Sequence, residues 1–136
     1  MQQSDTIDSV INRDKEKELM EMKVKFSDEF GNQVIYKVHD DELSHAFCKM
    51  LPLTVVLQKS GSNEFSFVSP KKMITYDACT APGGVEALCY HQPWNEVLIY
   101  YDGYSQYEDL YEIGMPISGN EQARHLHGPV FIEEVQ

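Results

Sequence analysis

The sequence predicts a mainly-β domain, a barrel or a sandwich, on three observations. Short runs alternate apolar and polar residues with a period of two, and there are about eight of them. Clusters of Gly, Pro, Asn and Asp separate them. One stretch alone, near residues 41–51, carries a clear helical period.

The elements follow in chain order. Residues 1–21 are polar and charged, and Ile7, Val10, Ile11 and Leu19 make only a weak stripe, so this segment reads as a tail or a loosely docked helix. The barrel or sandwich domain then spans 22–136. "MKVKF" (22–26) alternates as a half-buried strand does. "DEFGN" (28–32) supplies turn residues, and "QVIYKV" (33–38) returns as the second strand of a hairpin. Asp40 or Asp41 can cap the helix, whose Leu43, Ala46, Phe47 and Met50 fall on one face. Pro52 ends it, because the residue before a proline is pushed out of the α region. Cys48 lies off that stripe and reads as an inert helix residue.

Beyond Pro52 the period is two again. "LTVVLQ" (53–58) sets Leu53, Val55 and Leu57 against Thr54, Val56 and Gln58, and "EFSFV" (64–68) alternates likewise. Residues 69–85 are irregular, with a short strand expected near Met73–Tyr76. "EALCYH" (86–91) and "EVLIYY" (96–101) are strands joined by "QPWN". "LYEIGM" (110–115), a short helix over Asn120–Leu126 and the strand "PVFIEEV" (129–135) complete the chain.

Composition narrows the function classes. The 136 residues suit one domain, with 42% hydrophobic and 24% charged residues. No apolar run reaches the length of a membrane span, and the N-terminus lacks the apolar core of a secretory signal, so a cytoplasmic location is expected. Cys48, Cys79 and Cys89 form no CxxC pair and read as free thiols. The net charge is −11, of which residues 86–136 carry −8 from nine acids and Arg124. Such a surface repels phosphates, which makes nucleic acid a poor candidate partner; the acidic half reads either as a face that keeps the protein dispersed or as one that attracts a cationic ligand or partner.

Several motifs together carry a family resemblance. "LPLTVVLQ" follows an "AF..M" helix, and "PWNEVLIYYDGY", "LYEIG" and a final "G.VFIEEV" come after it in order. The chain resembles the small cyclophilin-like family of bacterial proteins over residues 22–136. It departs from that pattern at Glu96, where a Gly is usual in the turn, and over 69–85. The resemblance implies a closed antiparallel barrel of about eight strands with one or two short helices. True cyclophilins are prolyl isomerases that use an arginine beside aromatic and amide side chains. This chain has only Arg13, in the tail, and Arg124, expected in the last short helix away from any aromatic groove. Isomerase activity is therefore not expected, since catalysis needs a fixed donor at the twisted amide, and the fold confers no function of its own.

Other chemistry finds little support. His125-x-His127 supplies two imidazoles where a zinc site needs three or four ligands, so neither a metal nor another cofactor is assigned. Gly83-Gly84 lacks a phosphate-loop pattern, and the carboxylates form no distinctive acid–base pair, so no catalytic residue is assigned. Six of the eight tyrosines fall between Tyr90 and Tyr111, close to the single tryptophan. Tyr100 and Tyr101 sit on a strand with two apolar faces and read as packing. Trp94, Tyr104, Tyr107 and Tyr111 are the candidate ligand-binding residues; Tyr104 and Tyr107 lie in a polar loop, where rings make good contact surface. Three classes follow: a non-enzymatic module binding a small molecule or peptide, a divergent isomerase or other enzyme, and an interaction protein such as a homodimer.

Overall fold

The structure, a computed structural model, describes residues 21–136. The tail expected over 1–21 lies almost wholly outside the described residues. The first hairpin forms as its alternation dictates. Strands β1 (Lys23–Ser27) and β2 (Gln33–Val38) pair antiparallel from Lys23↔Lys37 to Ser27↔Gln33. Val24, Phe26, Val34 and Tyr36 are buried, and the intervening residues turn outward. The Asp28 carboxylate organises the turn, accepting from the backbone N–H of Phe30 (2.8 Å) and Asn32 (3.0 Å) and from Asn32 Nδ2 (2.9 Å).

Helix α1 (Glu42–Lys49) starts at Asp41, whose side chain accepts from Ser44 N at 2.8 Å. Leu43 and Phe47 are fully buried, and Ala46 and Met50 pack at the edge of the core. The buried stripe is wider than the apolar period implies. Ser44 is buried too and donates to the carbonyl of Ile113 at 3.2 Å, while Cys48 sits against the core. Burial, with Glu134 adding to it, pushes the Cys48 thiol up to about 12, so it stays protonated and inert at neutral pH.

Eight further strands follow: β3 (Leu53–Val56), β4 (Gln58–Lys59), β5 (Glu64–Val68), β6 (Cys79–Thr80), β7 (Ala87–His91), β8 (Glu96–Tyr100), β9 (Leu110–Ser118) and β10 (Pro129–Val135). The pairing order is β3-β10-β1-β2-β9-β7-β8-β5-β4, with β6 pairing β9 off this path. All pairs are antiparallel. β3 and β4, the two ends of the order, are separated only by Leu57. The expected single strand over 53–58 instead changes partner midway, from β10 to β5. The result is a nearly closed antiparallel barrel of nine strands, which removes most of the exposed edge. No strand forms at Met73–Tyr76; Met73 is buried and its N–H bonds the Tyr90 hydroxyl at 3.2 Å, while the short strand of this region is β6. Residues Gln92–Trp94 and Asn120–His125 form 3₁₀ turns.

Two cores result. The larger fills the barrel, from Val24 and Phe26 through Leu88, Tyr90 and Ile99 to Ile132. The smaller lies on the outer face of β7, β8 and β9 and contains Ala81, Ala87, Cys89, Leu98, Tyr100, Tyr104 and Leu110. β8 is therefore buried on both faces, as its unbroken apolar run requires. The segments 81–86 and 101–109 cover this outer face. They are tied by a reciprocal backbone pair, Gly84 N to Tyr104 O (3.0 Å) and Tyr104 N to Gly84 O (2.8 Å). Gly83 has φ +83°, and a Cβ there would press on Gln106 N and Tyr104 O, so the close approach of the two segments needs glycine.

Candidate functional site

The covered outer face positions the aromatic residues. Trp94 ends the 3₁₀ turn and is 70% exposed. The turn is held by Asn95, in the left-handed conformation, which donates to Ser69 O at 3.0 Å and accepts from the Tyr90 hydroxyl at 2.6 Å. The His91 ring lies between the exposed aromatics, 6.1 Å from Trp94 and 5.3 Å from Tyr107, edge-on to the latter. Tyr107 is 42% exposed, and its hydroxyl lies 3.0 Å from that of Tyr100. Behind it, Tyr100 stacks on Tyr104 with centroids 4.3 Å apart.

The four residues expected to form one rim therefore separate. Trp94 and Tyr107 meet through His91. Tyr104 does not join that exposed pair: at 9% exposure it is part of the outer core, because its ring covers Tyr100 and its backbone pairs with Gly84. Tyr111 packs against the barrel interior, while its neighbours Leu110 and Glu112 lie on the other face of β9. His91 and Glu64 were not legible as members of the group. Their one signal is strand alternation, which puts His91 on the face opposite Tyr90 once the pairing is known.

Carboxylates border the exposed rings. Cross-strand pairing sets Glu64 opposite Tyr100, and Glu96 opposite His91. Burial raises the Glu64 carboxyl; a hydrogen bond from Tyr100 opposes the shift, and the charge of Glu96 adds to it. Burial likewise raises the Tyr107 hydroxyl, against its bond to Tyr100 and with help from Glu64. The patch is thus aromatic, partly desolvated and negative.

Arg124 is not remote from aromatic rings, contrary to expectation. Its guanidinium carbon lies 5.6 Å from the Tyr101 ring centroid, and Nη2 donates to Tyr101 O at 3.3 Å. Tyr101 in turn packs on Phe65, with centroids 5.1 Å apart. The short turn Asn120–His125 folds against the barrel and brings them together, a long-range contact invisible in sequence. His127 stacks on Phe30 at 4.0 Å, and its Nδ1 lies 2.8 Å from His125 O. Among the described residues no group of His, Cys, Asp and Glu is arranged to hold a metal ion. Cys79 is exposed, but burial of its sulfur and the charges of Asp41, Glu112 and Asp77 raise its pKa, which disfavours the thiolate.

The model of the cyclophilin-like family matches residues 20–133. The chain belongs to the cyclophilin-like family. A solved structure of the same fold, the solution structure of a hypothetical protein from Archaeoglobus fulgidus, superposes with a TM-score of 0.60 at 14% identity, covering 85% of this chain and 95% of that one. No curated protein matches the chain. Membership in the cyclophilin-like family thus accounts for the barrel and brings no activity with it. No helix among the described residues is long and apolar enough to cross a membrane.

Proposed function

We propose that this cyclophilin-like barrel is a non-enzymatic binding module whose aromatic, acidic face takes a cationic small molecule or the cationic side chain of a peptide. The observation that carries the reading is the exposed Trp94, joined to Tyr107 through His91 and flanked by Glu64 and Glu96. An aromatic face attracts a cation through its quadrupole, with about 0.5–1 kcal/mol for each exposed contact. Rings fixed by a turn lose little entropy on binding. Two or three such contacts total about 1–3 kcal/mol, so the rings alone give a weak affinity, roughly 5–200 mM, which the flanking carboxylates strengthen.

Trp94 is the single tryptophan, so its emission reports directly on this face. Titration with tetramethylammonium and with a lysine-rich peptide should quench or shift that emission saturably. Tyr107→Ala and Glu64→Gln should weaken both titrations, and added salt should weaken them further. Equal binding of a neutral or acidic peptide, or no response to either cation, would overturn the reading. A dimer mass in light scattering, with a concentration-dependent shift of Trp94 emission without ligand, would make the face a self-association surface instead.

The contact of Arg124 with Tyr101 favours one second reading, a divergent prolyl isomerase. Against it, the Tyr101 ring is buried in the barrel core and the guanidinium bonds a backbone carbonyl. A barrier of roughly 18–20 kcal/mol falls only when fixed donors meet the twisted amide in a water-poor groove that the substrate can enter. The expected rate on a standard Xaa-Pro peptide is the uncatalysed one. Acceleration that disappears in Arg124→Ala would establish the enzyme.

A further inference from the structure

A second feature of the outer face lies apart from the aromatic patch. Between the segment 82–86 and β9 runs a groove of about 340 Å³. Gly83, Gly84, Val85, Tyr104, Met115 and Glu112 line it. Glu112 is its most buried polar residue, at 6% exposure. Strand alternation puts Glu112 on the outer face, between Cys89 of β7 and Cys79 of β6. One of its oxygens, Oε1, lies 2.7 Å from His39 Nε2.

A carboxylate in such a place is costly unless charge or hydrogen bonds offset its lost hydration. His39 meets one oxygen. The rest of the wall is mostly hydrocarbon and backbone, with Val85 67% exposed at the mouth. In this setting an incoming cation interacts more strongly with the carboxylate than it would in open water. The other charged groups leave room for it. Glu86, at the rim, accepts from Asn120 Nδ2 at 3.3 Å and is itself negative. Lys37, opposite Met115 in the sheet register, is paired with Glu21 at 3.3 Å.

We infer that this groove binds a small aliphatic amine, its ammonium against Glu112 and its alkyl stem along Val85, Met115 and the Tyr104 ring. The volume is at the small end of ligand pockets, roughly 300–1,000 Å³, and suits a short amine better than a folded partner. The chain's charge of −11 draws the same class of ligand. The site goes beyond the aromatic patch and shares no lining residue with Trp94, His91 or Tyr107.

The test is an amide-shift titration by NMR with n-pentylamine, with n-pentanol as the uncharged control. Pentylamine should shift Gly83, Gly84 and Val85 saturably, and pentanol should bind at least about tenfold more weakly. Glu112→Gln, nearly isosteric, should abolish the pentylamine shifts of Gly83, Gly84 and Val85, and their persistence would overturn the site. Should that variant fail to fold, Val85→Arg decides the matter, because this exposed position can carry a cation across the mouth without disturbing the core. Loss of binding in Val85→Arg supports the site, and retained binding overturns it. Equal affinity for pentanol also overturns it. Trp94→Phe separates the two sites: it should leave the pentylamine shifts of Gly83, Gly84 and Val85 intact. Loss of amine binding in Trp94→Phe alone would move the amine to the aromatic face, overturning the groove and sparing the proposed function.

Discussion

Tyr104 and Tyr107 stand three residues apart in the same polar loop, yet one is core and the other surface. In a loop there is no period to say which way a ring faces, so the sequence offers no way to separate them. Tyr104→Ala should therefore destabilise the protein by about 3 kcal/mol, as loss of a buried ring does. Tyr107→Ala removes a half-exposed ring and one hydroxyl contact, and should cost about 1 kcal/mol. Trp94→Ala should change stability by less than about 0.5 kcal/mol. Urea unfolding of the three variants checks the order, and a Tyr104→Ala protein as stable as the parent would place that ring at the surface. Glu64 gives a second prediction. Its folded pKa is raised, so the fold is relatively favoured below the ordinary value of 4.5, and that advantage is lost as pH rises through the folded value. Glu64→Gln should thus raise the melting temperature at neutral pH, and the gain should vanish below pH 4.5. The same change should weaken cation binding, since the carboxylate is retained at a stability cost on a face proposed to bind cations.

At the scale of elements, the legible parts were those whose burial is one-sided or wholly two-sided. The β1–β2 hairpin and the first half of β10 follow their apolar periods closely, and the Asp41-capped helix buries Leu43 and Phe47 as its period predicts, whereas β5 departs from its period, burying Ser66 and exposing Val68. β8 carries an unbroken apolar run, and both of its faces are buried. The 53–58 run was legible as a strand but not as two, because alternation persists through Leu57 while the hydrogen-bonding partner changes. The turn after β1 supports a prediction of its own. Burial works to raise the Asp28 pKa, but hydrogen bonds from the Asn32 side chain and from the backbone of Phe30, Asn32 and His127 outweigh it and hold it below the ordinary 3.8. A depressed folded value contributes stability that is present above pH 3.8 and is lost as pH falls through the folded pKa. Asp28→Asn should lower the melting temperature at pH 6, and the difference from the parent should shrink below pH 3.8. A constant difference across that range would mean that Asp28 acts by shape and not by charge.

For the molecule as a whole, the barrel closes on residues 22–136, and the family match covers nearly the same span. A chain beginning at Met22 should therefore unfold cooperatively and melt close to the full-length protein. It loses the exposed Lys37–Glu21 ion pair, worth about 0–1 kcal/mol. A broad, non-cooperative melt would show that the first 21 residues complete the core. The sequence by itself determined the mainly-β class, the barrel family, the helix and most strand positions, because these rest on local period, turn chemistry and motif order. It also determined the acidity of the C-terminal half, which is a matter of counting. Only the tertiary structure decided which aromatic rings are surface, that Arg124 reaches Tyr101, and that Glu112 is buried beside a groove. Those outcomes depend on the segments 81–86 and 101–109 crossing the outer face of the sheet and on the last turn docking against the barrel end. Contacts between residues distant along the chain set them, and no local pattern encodes such contacts.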